Sequence, residues 1–130
     1  MKLLLDTNAF LWANAEPERL GKYLPLVENP RTELLVSAVV SWEIAIKYRL
    51  GRLPLPQEPE RYVPTRLRAL KAETVAIEHK HALAVAGLPL LHRDPFDRLL
   101  IAQAGALDVP ILTADASIVR YRVDTLLIEQ

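Results

Sequence analysis

Cysteine is absent from the 130-residue chain, which excludes disulfides, thiolate zinc sites and thiol nucleophiles. No apolar run approaches the length of a membrane span, and MKLLLD at the start is too short for a signal peptide. The expectation is a cytoplasmic protein without a membrane partner. Net charge is missing too, since 16 basic residues balance 16 acidic ones, so nothing global points to nucleic acid. The chain also lacks internal repeats, low-complexity tracts, a glycine-rich phosphate loop and a Ser–His–Asp set. Its length suits one domain with a real core.

Short apolar stretches alternate with helical ones. Residues 2–5, 33–37, 73–77, 109–113 and 124–128 read as strands. Helices are expected over 9–15, then through Leu20, Leu24 and Val27 as far as Asn29-Pro30, and over 39–50 with Gly51 just past the end. Pro54, Pro56 and Pro59 mark a rigid connection. The following helix, up to about Lys71, either starts near Pro64 or kinks there. Further helices fit 78–86, the segment after Asp94 and a short stretch after Asp115. This order predicts an α/β fold: a single domain over residues 1–130, with a central, mostly parallel sheet and helices on both faces. Ligands of such sheets bind beyond the carboxyl ends of the strands.

The organising stretch is LLHRDPFDRLLIAQAGA, residues 90–106. Asp94 is a natural N-cap before Pro95, and Asp97 falls at the third helical position, in the positive end of the helix dipole. The helix is apolar almost all round, and Asp97 shares a face with Leu100, Ile101 and Ala104. Its carboxylate therefore points along an interior surface, which is expensive unless something satisfies it. Asp6 directly follows the first strand, and Asp115 lies two residues beyond Thr113 at the end of the fourth. Glu43 lies on the helix after the second strand, on the side of Val39, Val40, Ile46 and Leu50. With Ser37 as the cap, it is too far along for a capping box or the dipole to explain it. Each of the others has a plainer reading: Asp6 as a turn residue, and Asp94, Asp97 and Asp115 as caps. Four acids able to reach one sheet edge argue for a site.

Four clustered carboxylates without a basic neighbour would repel and raise one another's pKa. A divalent cation resolves this, and oxygen ligands favour Mg2+ or Mn2+ over zinc. The histidines at 79, 81 and 92 show no ligand spacing that joins the set. Setting those four acids aside leaves 12 against 16 bases, a surface suited to a phosphate-bearing substrate. Seven bases crowd residues 47–71, against only Glu58 and Glu60. Lys47, Arg49, Arg52, Arg66 and Arg68 are candidate RNA contacts, the alternative being a solvated face.

LLLDTN around Asp6, VSAVVSWEIAIK around Glu43, HRDPFDRLLIAQA around Asp97 and ILTAD ending at Asp115 together resemble a PIN-domain ribonuclease. The resemblance is to the kind that serves as the VapC toxin of VapBC toxin–antitoxin pairs, and it covers nearly the whole chain. It implies a metal site of Asp6, Glu43, Asp97 and Asp115. Asp6 and Asp97 would be the direct ligands, with Glu43 and Asp115 at a second metal position or its waters. Asn8 and Thr113 would hydrogen-bond to these ligands, with Asp94 a cap that contributes at most from outside. It further implies metal-dependent endonucleolytic cleavage of RNA leaving 5′-phosphate and 3′-hydroxyl ends, a homodimer, and a VapB-like antitoxin that occupies the groove. Candidate dimer faces are Leu20, Leu24 and Val27, and the helix around Ala82, Val85 and Leu88. A haloacid-dehalogenase-like phosphatase would need an acid where Asn8 stands. A phosphorelay receiver would need a lysine that residues 111–115 lack. A non-catalytic PIN-like module binding RNA or protein is the remaining alternative.

Overall fold

Three consecutive leucines at positions 3, 4 and 5 are all fully buried. A strand with no polar face has to be covered on both sides, as central strands of parallel sheets are. In the computed structural model, which describes residues 1–129, that strand is β1 (Lys2–Leu5), with β2 (Glu33–Ser37) on one side and β4 (Ile111–Thr113) on the other. β3 (Glu73–Val75) and β5 (Thr125–Leu127) complete the order β3-β2-β1-β4-β5. Every pairing is parallel, so the carboxyl ends of all five strands share one edge.

The helices are α1 (Thr7–Ala15), α2 (Leu24–Glu28), α3 (Ala38–Arg49), α4 (Pro59–Leu70), α5 (His79–Ala84) and α6 (Pro95–Leu107). α1, α3 and α6 start at that edge on side-chain caps from Asp6, Ser37 and Asp94. Lys71 and Asp108, in the left-handed region at φ 55°, end α4 and α6 without a glycine.

Several boundaries differ from the sequence expectation. The helix expected through Leu20 and Val27 is a 3-10 segment, Pro17–Tyr23, followed by α2. Gly21 at φ 58° and ψ −128° breaks the helical path within the 3-10 segment. α4 starts at Pro59 and runs through Pro64, because a proline at the first helical position is the stronger start. β3, β4 and β5 are shorter than expected. α5 ends at Ala84 and passes into a 3-10 turn, Val85–Gly87, and the helix after Asp115 is also 3-10, Ala116–Arg120.

Gln103, fully buried on α6, ties the β2 and β3 ends together. Its Oε1 accepts a hydrogen bond from Ser37 Oγ, and its Nε2 donates to Ala76 O at 3.2 Å and lies 3.3 Å from His81 Nδ1. Replacing it with Leu leaves the Ser37 hydroxyl and the Ala76 carbonyl without that partner. Gln103→Leu should therefore cost about 2–4 kcal/mol in urea unfolding. A midpoint equal to wild type would show that the network contributes nothing.

Candidate active site

Asp6 is 5% exposed, and both its oxygens are engaged. Oδ1 accepts the Ala9 N–H at 2.8 Å, and Oδ2 accepts the Thr113 hydroxyl at 2.5 Å. The register that pairs Leu5 with Leu112 brings Thr113 there. Burial pushes the Asp6 carboxyl up to about 6 despite those two bonds, and the charges of Glu43 and Asp115 push the same way. Glu43, buried on α3, accepts the Thr7 hydroxyl at 2.5 Å and pairs with Lys47 one turn on.

Asp97 stands at the head of α6, with its N–H on the Asp94 carboxylate that caps the helix. Burial raises its pKa to about 7, helped by the charges of Asp94, Glu43 and Asp6 and opposed by His92. Asp115 goes the other way. Burial would raise it, but the Ser117 hydroxyl at 2.7 Å, the Ser117 N–H at 2.9 Å and His92 outweigh that and lower it. His92 Nε2 lies 2.9 Å from both Asp97 Oδ2 and Asp115 Oδ2. Its Nδ1 accepts the Asp94 N–H at 3.3 Å, which places a proton on Nε2, between the two carboxylates. Burial disfavours the imidazolium, but the acids prevail and hold its pKa above the usual value.

The site is thus a run of carboxylates from β1, α3, α6 and the end of β4, with more negative charge than its two cations answer. One ligand atom each from His92, Asp97 and Asp115 lie within 4.8 Å of one another, a spacing suited to a shared metal ion, and Asp6 and Glu43 stand outside that group. Oxygen predominates among the available donors, and the raised Asp6 and Asp97 carboxyls are those a hard divalent cation would stabilise in ionised form. The residues fit such an ion.

The PIN-domain family model matches residues 3–124. The chain belongs to the PIN-domain family. Ribonuclease VapC16 of Mycobacterium tuberculosis is 43% identical over 56 residues, which span 43% of this chain and 40% of that relative. The solved VapBC2 of Rickettsia felis, bound to a DNA fragment from its promoter, superposes with TM-score 0.74 at 16% identity. The match covers 99% of this chain and all of that one. DNA-bound VapBC from Salmonella typhimurium gives 0.68 at 16% identity, covering 99% of both chains. At such identities the two structures bear on the fold alone, and the fold is that of this PIN domain.

Four expectations about this PIN domain's site need correcting. His92 does join the acids, although no helical spacing announced it, because it stands in the loop that folds over the head of α6. The acids are not without basic neighbours, since Lys47 is engaged by Glu43 rather than turned outward to a phosphate. Thr7 reaches Glu43, while Asn8 is exposed on α1. The structure does not bring Arg66 and Arg68 to the site. They occupy the last turns of α4, which leads to the start of β3 and so to the opposite edge of the sheet. Arg49 and Arg52 are exposed beyond Lys47.

Proposed function

We propose that this PIN domain is a metal-dependent endoribonuclease, the toxin of a type II toxin–antitoxin pair, using Mg2+ or Mn2+. The observation that carries this reading is the pair of carboxyls of buried Asp6 and partly buried Asp97, both facing the charge of Glu43. They are held near pKa 6 and 7 at the sheet edge where such folds bind ligands. The resemblance to Ribonuclease VapC16 supports RNA as the substrate, and the VapBC folds support a VapB-like antitoxin as partner.

A bound divalent cation would acidify a water for in-line attack and offset charge on the phosphodiester. Asp6 and Asp97 would hold it, with Glu43 and Asp115 fixing a second position or its waters. Thr113 orients Asp6 through Oδ2, and Thr7 and Lys47 orient Glu43. Ser117 keeps Asp115 ionised, and His92 links Asp115 to Asp97. Cleavage of single-stranded RNA in Mg2+ or Mn2+, with 5′-phosphate and 3′-hydroxyl products and full inhibition by EDTA, is the expected result. Cleavage undiminished by EDTA would overturn the metal mechanism, and RNA left intact under all conditions would favour a non-catalytic module.

The proposed homodimer can use only one of its two candidate faces. Leu20 and Val27 are spent in the core. Around α5, by contrast, Leu83 is 73% and Leu90 90% exposed, beside a cavity of about 620 Å³ lined by Leu88, Ile101, Ala102, Tyr121 and Val123. Leu83→Lys should shift the sedimenting species from dimer to monomer. A wild-type chain that sediments only as monomer at micromolar concentration would remove the dimer.

No helix among the described residues is long and apolar enough to cross a membrane.

A further inference from the structure

Trp42 is 51% exposed, although its ring packs against Phe96 with centroids 4.9 Å apart and planes at 76°. Each ring immediately precedes an acid of the site: Trp42 adjoins Glu43 on α3, and Phe96 adjoins Asp97 on α6. The aromatic pair therefore bridges the two helices at the rim of the acid cluster. Phe96 fixes the indole, and half of the tryptophan surface is still left in water. The same side of α3 continues through Ile46 to Arg49, four and seven residues on. Arg49 is exposed and has no carboxylate partner among the described residues. Arg93, next to His92, is exposed as well.

We infer that Trp42, braced by Phe96, stacks an unpaired nucleobase of the RNA whose phosphate meets the acids. This rests on the ribonuclease reading of the same site. A rigid, half-open indole offers a π-face that every base can use, and single-stranded RNA is the form that presents its bases free. The flanking arginines suit a polyanion that runs past the ring. An apolar side chain of a partner protein would find those charges of no use. Trp42 thus selects unpaired RNA and sets which nucleotide lies beside the cut, without reading its sequence.

The test uses the full chain carrying Asp6→Asn, so that RNA is bound without being cut. The probes are a short single-stranded oligoribonucleotide of mixed sequence and copies that each carry one abasic ribose. One abasic position should weaken binding about tenfold, the usual worth of a base stacked on an aromatic side chain. Adding Trp42→Leu, which keeps an apolar contact for Phe96, should weaken binding of the intact oligonucleotide by a similar factor. It should also abolish the effect of that abasic position, and Trp42→Phe should restore most of both. A purely structural role would lower the melting temperature of Trp42→Leu and leave the abasic pattern intact, which overturns the inference. So does unchanged RNA affinity, the result expected if a protein segment occupies the ring instead. Cleavage by the chain with native Asp6, assayed in parallel, separates the two levels. Cleavage together with a Trp42-independent pattern sinks only the stacking site, whereas neither cleavage nor binding of any oligonucleotide sinks the ribonuclease reading with it.

Discussion

Asp97→Asn should abolish RNA cleavage and, in the metal-free protein, raise the melting temperature. On the proposed metal mechanism catalysis fails because a ligand is lost: even partners that only orient a ligand cost about 10–100-fold in metal affinity, and a ligand costs more. Stability moves the other way because of where the carboxyl titrates. Its folded pKa is about 7 against an ordinary 3.8, so the folded state holds its proton more tightly than the unfolded one. The stability this contributes is present in full below 3.8 and is lost as pH rises through 7. At about pH 8 the wild type carries a charge that its surroundings resist, at a cost of roughly 2–3 kcal/mol once partial exposure is allowed for. The amide carries none, and its melting temperature should stand several degrees higher. Mg2+ reverses the order by stabilising wild type alone, and its affinity should weaken below about pH 7 as protons compete for the same oxygens. Melts of both proteins at about pH 5 and about pH 8, with and without Mg2+, check every part. A metal-induced shift of equal size in the mutant would take Asp97 out of the site.

Arg98→Ala should be strongly damaging although Arg98 is not one of the acids. The guanidinium has no carboxylate partner among the described residues and is used as a clamp on carbonyls. Nη1 donates to Pro89 O at 2.9 Å and makes longer contacts of 3.5 Å to His92 O and 3.4 Å to the Tyr121 hydroxyl. Nη2 donates to Val85 O at 3.3 Å and reaches Leu88 O at 3.5 Å. One side chain therefore pins the whole stretch from the end of α5 to His92, which makes few other bonds. Its removal should cost about 3 kcal/mol, on the scale of hydrogen bonds to charged groups with allowance for the long ones. The loop should then exchange its amide protons much faster, and His92 should lose its hold on Asp97 and Asp115. Lys cannot substitute, because a single ammonium lacks the planar fork needed to serve both arms. Hydrogen exchange over residues 85–93 measures the effect directly, and an unchanged pattern in Arg98→Ala would refute the clamp.

The difference between Asp97 and His92 shows what the sequence could disclose. Asp6, Asp97 and Asp115 follow strand ends or start helices, so local pattern alone places them at one edge. Glu43 betrays itself by lying on a buried face with no cap to serve. His92 reaches the same acids from a loop, and nothing local fixes that reach. The Glu43–Lys47 pair, four residues apart on α3, is by contrast a helical spacing open to view in the sequence. The parallel sheet was legible because apolar strands and helices alternate. Leu20 and Val27 were read as an outer face because an apolar helical stripe looks the same whether a partner or the chain's own sheet covers it. Gly21, which kinks the 3-10 segment beside Leu20, carries no signal in the sequence that a break falls there.

The central place of β1 has a consequence for how the molecule comes into being. β1 is flanked on one side by a strand that begins at Ile111, and the bond from Thr113 to Asp6 joins residues 107 apart. Contacts of such sequence separation form late in folding, since the loop between them must close first. β1 can pair with β2 early, but Thr113 and Asp115 reach Asp6 only once the chain has been made as far as β4. If the acids are what cuts RNA, a polypeptide that stops short of β4 cannot cut it.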